Sequence, residues 1–372
     1  MKENIHINYL KKTFLLAKKG MGLVSPNPMV GAIIVKGNRI IGYGFHEFFG
    51  GPHAEINAIK MAGEKTKGAT LYTNLEPCCH WGKTPPCTDA IIQSGISQVI
   101  SCMEDPNTLV SGKGFEILKN NGIKVQSGLL LEQAYKLNEN YLVYITKKRP
   151  FITLKWAMTL DGKIADMYGY SKWITNQQTR LYAKNSRFQY DGILVGINTI
   201  ERDNPFLDYN IPKFQIKKKL ISNKQWTKII LDTKLRISPD ANIFKNETSK
   251  VIIFTSENSM EQSKYPSNTE IIKISSENEK LKIEEVVNNL YQKNIGKILI
   301  EGGGKILTSF WQKNLFDNIY IYIGNKIIGG DAKFSPISGE TVKSLTGQQN
   351  IDIEDIKNIN GNVLLICKIQ NN

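Results

Sequence analysis

Nowhere in the 372 residues does an apolar run approach the ~18 that a membrane-spanning helix needs. The first residues offer an early Glu3 and an apolar stretch running only from Phe14 to Ala17, a poor secretion signal, so the expectation is a cytoplasmic protein with no membrane partner. Cysteine is scarce, at five residues, and three of these (Cys78, Cys79 and Cys87) crowd one segment. That usage excludes a disulfide framework and fits a reducing compartment, with Cys102 and Cys367 read as core residues. The chain also lacks an internal repeat and the G-x-G-x-x-G fingerprint, which disfavours a Rossmann dinucleotide domain.

With 41% hydrophobic and 22% charged residues, the chain is globular in composition, and its length asks for about two domains. Net charge is +14, with residues 1–150 and 151–372 each contributing +7. Such an even spread reads as a solvated lysine surface rather than a nucleic-acid patch, and it suits a phosphorylated small substrate.

The strongest chemical signal is PHAE at 52–55 followed by Cys78 and Cys87. One imidazole and two thiolates fill three corners of a zinc tetrahedron and leave the fourth open, as catalytic zinc requires. The order His, x, Glu and then Pro-Cys is the signature of zinc base deaminases, where the glutamate moves protons and does not bind metal. Trp81 stands where the usual second cysteine would be, so Cys87 is the better second thiolate. It opens a short predicted helix, whose N-terminus is expected to lower the thiol's pKa. His53 likewise opens the helical stretch AEINAIKMA, placing His53 and Glu55 in one turn. Taken singly, the cysteines read as buried small hydrophobes and His53 as a core histidine; their joint order does not.

Strands and helices alternate through the first half: GAIIVKGNRIIGYGF, ATLYTNLE, QVISCME and IKVQSG are strand-like, and the pattern restarts after Arg149-Pro150 with FITLKWAM. Strands then recur at DGILVG, TKIILD, KVIIFT, KILIEGG and NIYIYIG, which makes two α/β domains, residues 1–148 and 149–372. The Asn- and Ser-rich stretch from Ser256 to Asn278 reads as a mobile insertion. Three glycines, Gly302 to Gly304, lie between a strand and a helical stretch, a layout that either makes a tight turn or aims backbone amides at an anion.

Taken with SPNPMVGA (25–32), GFH (44–46), EPC (76–78), GKTPPC (82–87), RPFITLK (149–155), LDGKIA (160–165), SKWIT (171–175), DNP (203–205) and EGG (301–303), the chain resembles the bifunctional deaminase/reductases of riboflavin biosynthesis. The resemblance spans almost its full length. It implies a cytidine-deaminase-like α/β/α layered domain followed by a dihydrofolate-reductase-like α/β domain, the first holding one Zn2+ and the second NADPH. Zinc on His53, Cys78 and Cys87 would lower the pKa of its water toward ~7, with Glu55 as the proton carrier. Asn27, His46, His80 and Lys83 would surround a phosphoribosyl pyrimidine. In the second domain Lys155, Ser171, Arg187, Leu207 and Glu301 would meet the substrate, Arg187 as a forked clamp for its phosphate. Ala157, Trp173, Thr199, Asp203, Thr233, Gly303, Gly304, Lys305, Ile306 and Leu307 would meet NADPH. A homo-oligomer is expected, and no nucleic-acid partner. The chain departs from the family at Cys79, where serine is common, and at Asn210, where arginine is usual and Lys213 is the nearest replacement. The competing readings are a nucleic-acid base deaminase with a basic appended domain and a zinc-stabilised module without activity.

Overall fold

The computed structural model describes residues 2–211, 218–259, 265–330, 334–338 and 350–370, so that Lys213 lies outside the described residues. The chain divides into two compact units, Met1–Arg149 with Lys213–Lys224, and Pro150–Pro212 with Gln225–Asn372.

In the first unit α1 (Lys2–Ala17) leads into β1 (Gly31–Lys36) and β2 (Arg39–Phe45). Gly37 and Asn38 join these strands with positive φ at both positions, as a two-residue hairpin turn requires. Next come α2 (Ala54–Ala62), β3 (Thr70–Thr73), α3 (Cys87–Gln93), β4 (Gln98–Ser101), α4 (Lys113–Asn120), β5 (Lys124–Gln126), α5 (Leu131–Leu137) and α6 (Glu139–Lys147). The sheet runs β2-β1-β3-β4-β5, with β1 antiparallel to both neighbours and β3, β4 and β5 parallel. Ala32 to Val35 of β1 are buried, because helices cover both faces of this central strand.

Close packing of α2 on β2 sets the position of the site. A Cβ at Gly42 would stand 2.4 Å from the Ala58 carbonyl oxygen, and one at Gly44 would stand 2.5 Å from that of Ala54. These two residues are glycine because helix backbone occupies the side-chain volume.

The second unit contains β6 (Phe151–Met158), α7 (Gln177–Ser186), β7 (Gly192–Gly196) and α8 (Ile197–Asp203); α9 (Lys218–Ile221) falls in the segment that clusters with the first unit. It continues with β8 (Thr227–Leu231), β9 (Lys250–Ser256), β10 (Thr269–Ile274), the short pair β11 (Ser276–Glu277) and β12 (Lys280–Leu281), α10 (Ile283–Gln292), β13 (Lys297–Ile300), α11 (Gly304–Gln312), β14 (Asn318–Ile323), β15 (Ile351–Ile359) and β16 (Asn362–Ile369). Nine strands form one sheet in the order β10-β9-β8-β7-β13-β6-β14-β16-β15. The first seven in that order are parallel, and β16 and β15 close the edge in antiparallel fashion. Parallel strands end on the same side of a sheet, so the turns after β6, β7, β8 and β13 share one edge, where open α/β sheets bind ligands.

Part of the stretch expected to be a mobile insertion is ordered strand: β10 pairs with β9 along its whole length, while residues 260–264 lie outside the described residues. Among the described residues no helix is long and apolar enough to cross a membrane.

Replacing Gly44 with alanine forces α2 off β2. The expected cost is about 1–3 kcal/mol by chemical denaturation, as for other overpacked contacts. Zinc content per chain is expected to fall with it, since α2 begins at His53.

Candidate deaminase and reductase sites

In the first unit His53 is the residue immediately before α2, in extended backbone, and Cys87 is the first residue of α3. Both helices therefore begin at the same point. His53 Nδ1 lies 3.4 Å from Cys78 Sγ and 3.3 Å from Cys87 Sγ, and all three donor atoms fall within 4.8 Å of one another. Tetrahedral zinc with Zn–N and Zn–S bonds of roughly 2.0 and 2.3 Å spaces such donors by roughly 3.5 Å, so the chemistry and spacing of this set fit zinc. With Nδ1 facing the metal position, Nε2 carries the proton and donates to Thr84 Oγ1 at 3.3 Å, which holds the ring's orientation.

Electrostatics in the pocket differ from the sequence expectation at Cys87. Its hydrogen bond to Cys78 and its burial push the Cys87 thiol up, against the effect expected of a helix start. Cys78 is held down at about 4 by the Cys87 hydrogen bond and His53, against burial. Glu55 occupies the first turn of α2, fully enclosed, with Oε2 3.7 Å from Cys87 Sγ. Burial pushes its carboxyl up to about 7, although His53 opposes the rise.

His46 and Asn27 stand together beside this triangle. His46 Nδ1 donates to the Pro52 carbonyl at 3.0 Å, which leaves Nε2 as the acceptor for Asn27 Nδ2 at 3.2 Å. Burial lowers His46 to about 4, so the ring is neutral at physiological pH and packs edge-on to His53 at 5.3 Å. Lys83 is exposed, with Nζ 3.8 Å from the centre of the Phe49 ring. His80 Nδ1 is buried with no hydrogen-bond partner among the described residues.

Glu76, quoted above only as part of a motif, has a clear structural task. Its carboxylate accepts from the backbone N–H groups of Asp105 (3.0 Å), Gly112 (2.9 Å) and Phe115 (3.2 Å), pinning the segment that leads to Cys78 against the start of α4.

In the second unit the reductase candidates gather at the shared strand edge. Lys155 and Ala157 are on β6, Thr199 and Asp203 on α8 after β7, Thr233 follows β8, and Glu301 to Leu307 follow β13. Glu301 Oε1 accepts from Arg187 Nε at 2.9 Å, and its Oε2 accepts from Arg187 Nη2 at 2.8 Å, with Lys155 Nζ 3.6 Å away. Burial would raise this carboxyl, but Arg187 and Lys155 outweigh it and hold Glu301 at about 2. Arg187 Nη1 donates to the Asp208 carbonyl at 2.8 Å. Three nitrogens of the Arg187 guanidinium are thus engaged by protein oxygens.

Leu207 is buried, with φ +54°, and its carbonyl accepts from Trp226 Nε1 at 3.1 Å. Trp173 is 58% exposed, its ring under Arg180 at 4.0 Å, and Ser171 is exposed two residues before it. Asp203 pairs with Lys172 at 3.5 Å. The Thr233 carbonyl accepts from Ser256 N at 3.1 Å, tying the ends of β8 and β9.

At the end of β13, Gly303 precedes the first turn of α11, and a Cβ built on it meets no atom within 4 Å. The backbone there opens onto free space at a helix N-terminus, which fits the pyrophosphate of a dinucleotide. Ile306 lies over Gly302 and Gly196, each too close to it for a Cβ to be added freely, and Leu307 is buried. The N–H groups of Ile306 and Leu307 donate to the Gly303 carbonyl at 2.9 and 3.2 Å, so the backbone amides left for an anion are those of Gly303 to Lys305, with the Lys305 side chain exposed beside them.

These two sites define a zinc-dependent deaminase unit followed by a reductase unit of the NADPH-using type. A family model for the cytidine and deoxycytidylate deaminase zinc-binding region matches residues 3–103, and one for the RibD C-terminal domain matches residues 150–365. The Aquifex aeolicus riboflavin biosynthesis protein RibD is 39% identical over 99% of both chains, and its Escherichia coli counterpart is 35% identical over 87% of this chain and 89% of its own. Among solved structures, Acinetobacter baumannii RibD superposes with a TM-score of 0.90 at 31% identity, covering 99% of this chain and 100% of its own. The Thermotoga maritima diaminohydroxyphosphoribosylaminopyrimidine deaminase/5-amino-6-(5-phosphoribosylamino)uracil reductase gives 0.85 at 38% identity, with both chains fully covered.

The chain belongs to the RibD family. It is a bifunctional enzyme of riboflavin biosynthesis, with a cytidine-deaminase-like first domain and a dihydrofolate-reductase-like second one. This membership disfavours the nucleic-acid deaminase and the inactive zinc module.

Thr84→Val removes the acceptor that orients His53, and zinc affinity measured by chelator competition is expected to fall about 10- to 100-fold. A second expectation concerns acid stability. Glu301 has a folded pKa near 2, below its ordinary 4.5, so its stabilising charge is complete above about 4.5 and is lost as pH falls through about 2. The stability difference between wild type and Glu301→Gln is expected to be constant from neutral pH down to about 5 and to shrink below that, in denaturant titrations followed by tryptophan fluorescence.

Proposed function

We propose that residues 1–148 deaminate 2,5-diamino-6-ribosylamino-4(3H)-pyrimidinone 5′-phosphate and that residues 149–372 reduce the ribosyl group of the product to ribityl. The observation that carries the deaminase assignment is the His53, Cys78 and Cys87 triangle with Glu55 against Cys87.

Zinc, when held by those three residues, supplies a Lewis acid that lowers the pKa of a water molecule. Glu55 takes a proton from the water that adds to the amine-bearing ring carbon C2. It passes protons to the ring nitrogen and to the leaving amine, so that one water enters and one ammonia departs, giving the uracil. Neutral His46 with Asn27, and His80 with Lys83, surround the pyrimidine and its ribose phosphate. Lys83 is the phosphate contact, a compact cation at the exposed rim.

NADPH, when bound along the strand edge, supplies the hydride for C1′ of the ring-opened imine. Ala157, Trp173, Thr199, Asp203, Thr233 and the Gly303 to Leu307 backbone hold the nucleotide. Lys155, Ser171, Arg187, Leu207 and Glu301 face the substrate, with Glu301 ionised between its two cations. We further propose a cytoplasmic homo-oligomer. The edge strand β15 supports self-association, as it exposes Ile353 and Ile356 and, among the described residues, pairs with β16 alone.

Glu55→Gln is expected to reduce ammonia release by at least about 10²-fold, the usual weight of a general acid–base group. Bound zinc and NADPH oxidation on supplied deaminated substrate should stay at wild-type levels. Loss of both activities together would argue against two separate sites.

A further inference from the structure

Lys228 belongs to no site motif and is the second residue of β8, yet its side chain is fully buried. A lysine there needs partners, because burying an unpaired ammonium is prohibitive. Its Nζ donates to the Ile243 carbonyl at 3.0 Å and lies 2.9 Å from Asp208 Oδ1. Asn246 Nδ2 donates to the same carboxylate oxygen at 3.1 Å. Burial lowers the lysine's pKa, and the Asp208 carboxylate opposes that fall.

Asp208 lies directly after Leu207, and its carbonyl receives Arg187. The Asp208 carboxylate also acts on Arg187 through space, helping to raise the guanidinium's pKa. The charges therefore alternate: Lys228 positive, Asp208 negative, Arg187 positive, Glu301 negative, Lys155 positive. Three cations against two anions leave one positive charge in excess. Asn210, two residues beyond Asp208, adds no charge, and its amide donates to Asn185 Oδ1 at 2.8 Å.

We propose that Lys228 is a positioning residue that sets the charge of the reductase phosphate site: by neutralising Asp208 from behind, it leaves Arg187 and Lys155 one charge in excess over Glu301 for the substrate's 5′-phosphate. This rests on the reading that Arg187 and Glu301 face that substrate. Lys228 itself touches no ligand. It acts through Asp208, whose carboxylate would otherwise cancel the attraction of Arg187 for an anion.

Steady-state reduction by the full-length enzyme tests this, using the deaminated pyrimidine with and without its 5′-phosphate. Lys228→Met, close in volume, brings the five-group sum to zero. It is expected to raise KM for the phosphorylated substrate about tenfold, as removal of one nearby charge in a partly wet site does. KM for NADPH and for the dephosphorylated substrate should change less than about twofold on the same reasoning. Lys228→Met combined with Asp208→Asn restores the excess charge and should return KM to near the wild-type value. Asp208→Asn alone should give a KM no higher than wild type, and it keeps the test open if Lys228→Met does not fold.

An unchanged KM in Lys228→Met overturns the proposal. So does a double variant no better than the single one, which would mark Lys228 as a packing residue, and so does a rise for both substrates alike. Wild-type enzyme that fails to oxidise NADPH with either substrate would instead overturn the reductase reading itself.

Discussion

The metal end of the first unit depends on a backbone-to-backbone approach: α2 lies on β2 only because Gly42 and Gly44 present hydrogen where any other residue presents a Cβ. That contact fixes where α2 begins, and α2 begins at His53. α3 starts at Cys87 on the same side, and the Cys87 N–H reaches Cys78 Sγ at 3.4 Å, so a helix-start amide stabilises sulfur charge on the neighbouring ligand. Glu76 completes the frame by holding the chain that leads to Cys78 with three backbone hydrogen bonds. None of these three devices contributes a ligand atom, yet each limits where a ligand atom lies.

The second unit solves a different problem by strand direction. Seven parallel strands deliver their following turns to one edge, so residues more than a hundred positions apart in sequence meet there without a dedicated loop. Glu301, just past β13, also meets Arg187, which follows α7 and lies 114 positions earlier, through two charge-assisted hydrogen bonds. Two parallel N–H donors on one carboxylate give orientation as well as attraction. Lys155 then finds its anion at a set place, with the Tyr322 ring 5.4 Å from its ammonium on the other side.

Much of this was legible in the residues, and the rest was hidden for identifiable reasons. Zinc ligands are legible because metal chemistry accepts few donor types, and the order of His53, Glu55, Cys78 and Cys87 leaves little choice. Buried strands such as ILVG in β7 are legible because parallel sheets bury both faces. β10 was hidden because an edge strand is half wet, and its polar surroundings resemble a loop; β15 is likewise an edge strand, exposed along most of its length. Thr84 could not be assigned because a hydroxyl meeting His53 depends on the path of a loop. The engagement of Arg187 by Glu301 and the burial of Lys228 are long-range facts, and no local pattern announces them.

The two enclosed glutamates show how surroundings assign chemistry to one side chain. Glu55 has an imidazole and two sulfurs for company and no lysine or arginine, so the cost of burying charge prevails and its carboxyl rises to about 7. A carboxyl in that range gains and loses a proton near neutral pH, as a proton carrier must. Glu301 is nearly as enclosed, with 11% of its side chain exposed, but two cations reach it and hold it near 2. It stays ionised through every physiological condition and cannot carry a proton; it serves as a charged post that orients Arg187 and Lys155. The difference lies in neighbours rather than in depth, and exchanging those neighbours would exchange the roles. Removing both Arg187 and Lys155 would let burial raise Glu301 and cost the second unit its anchor.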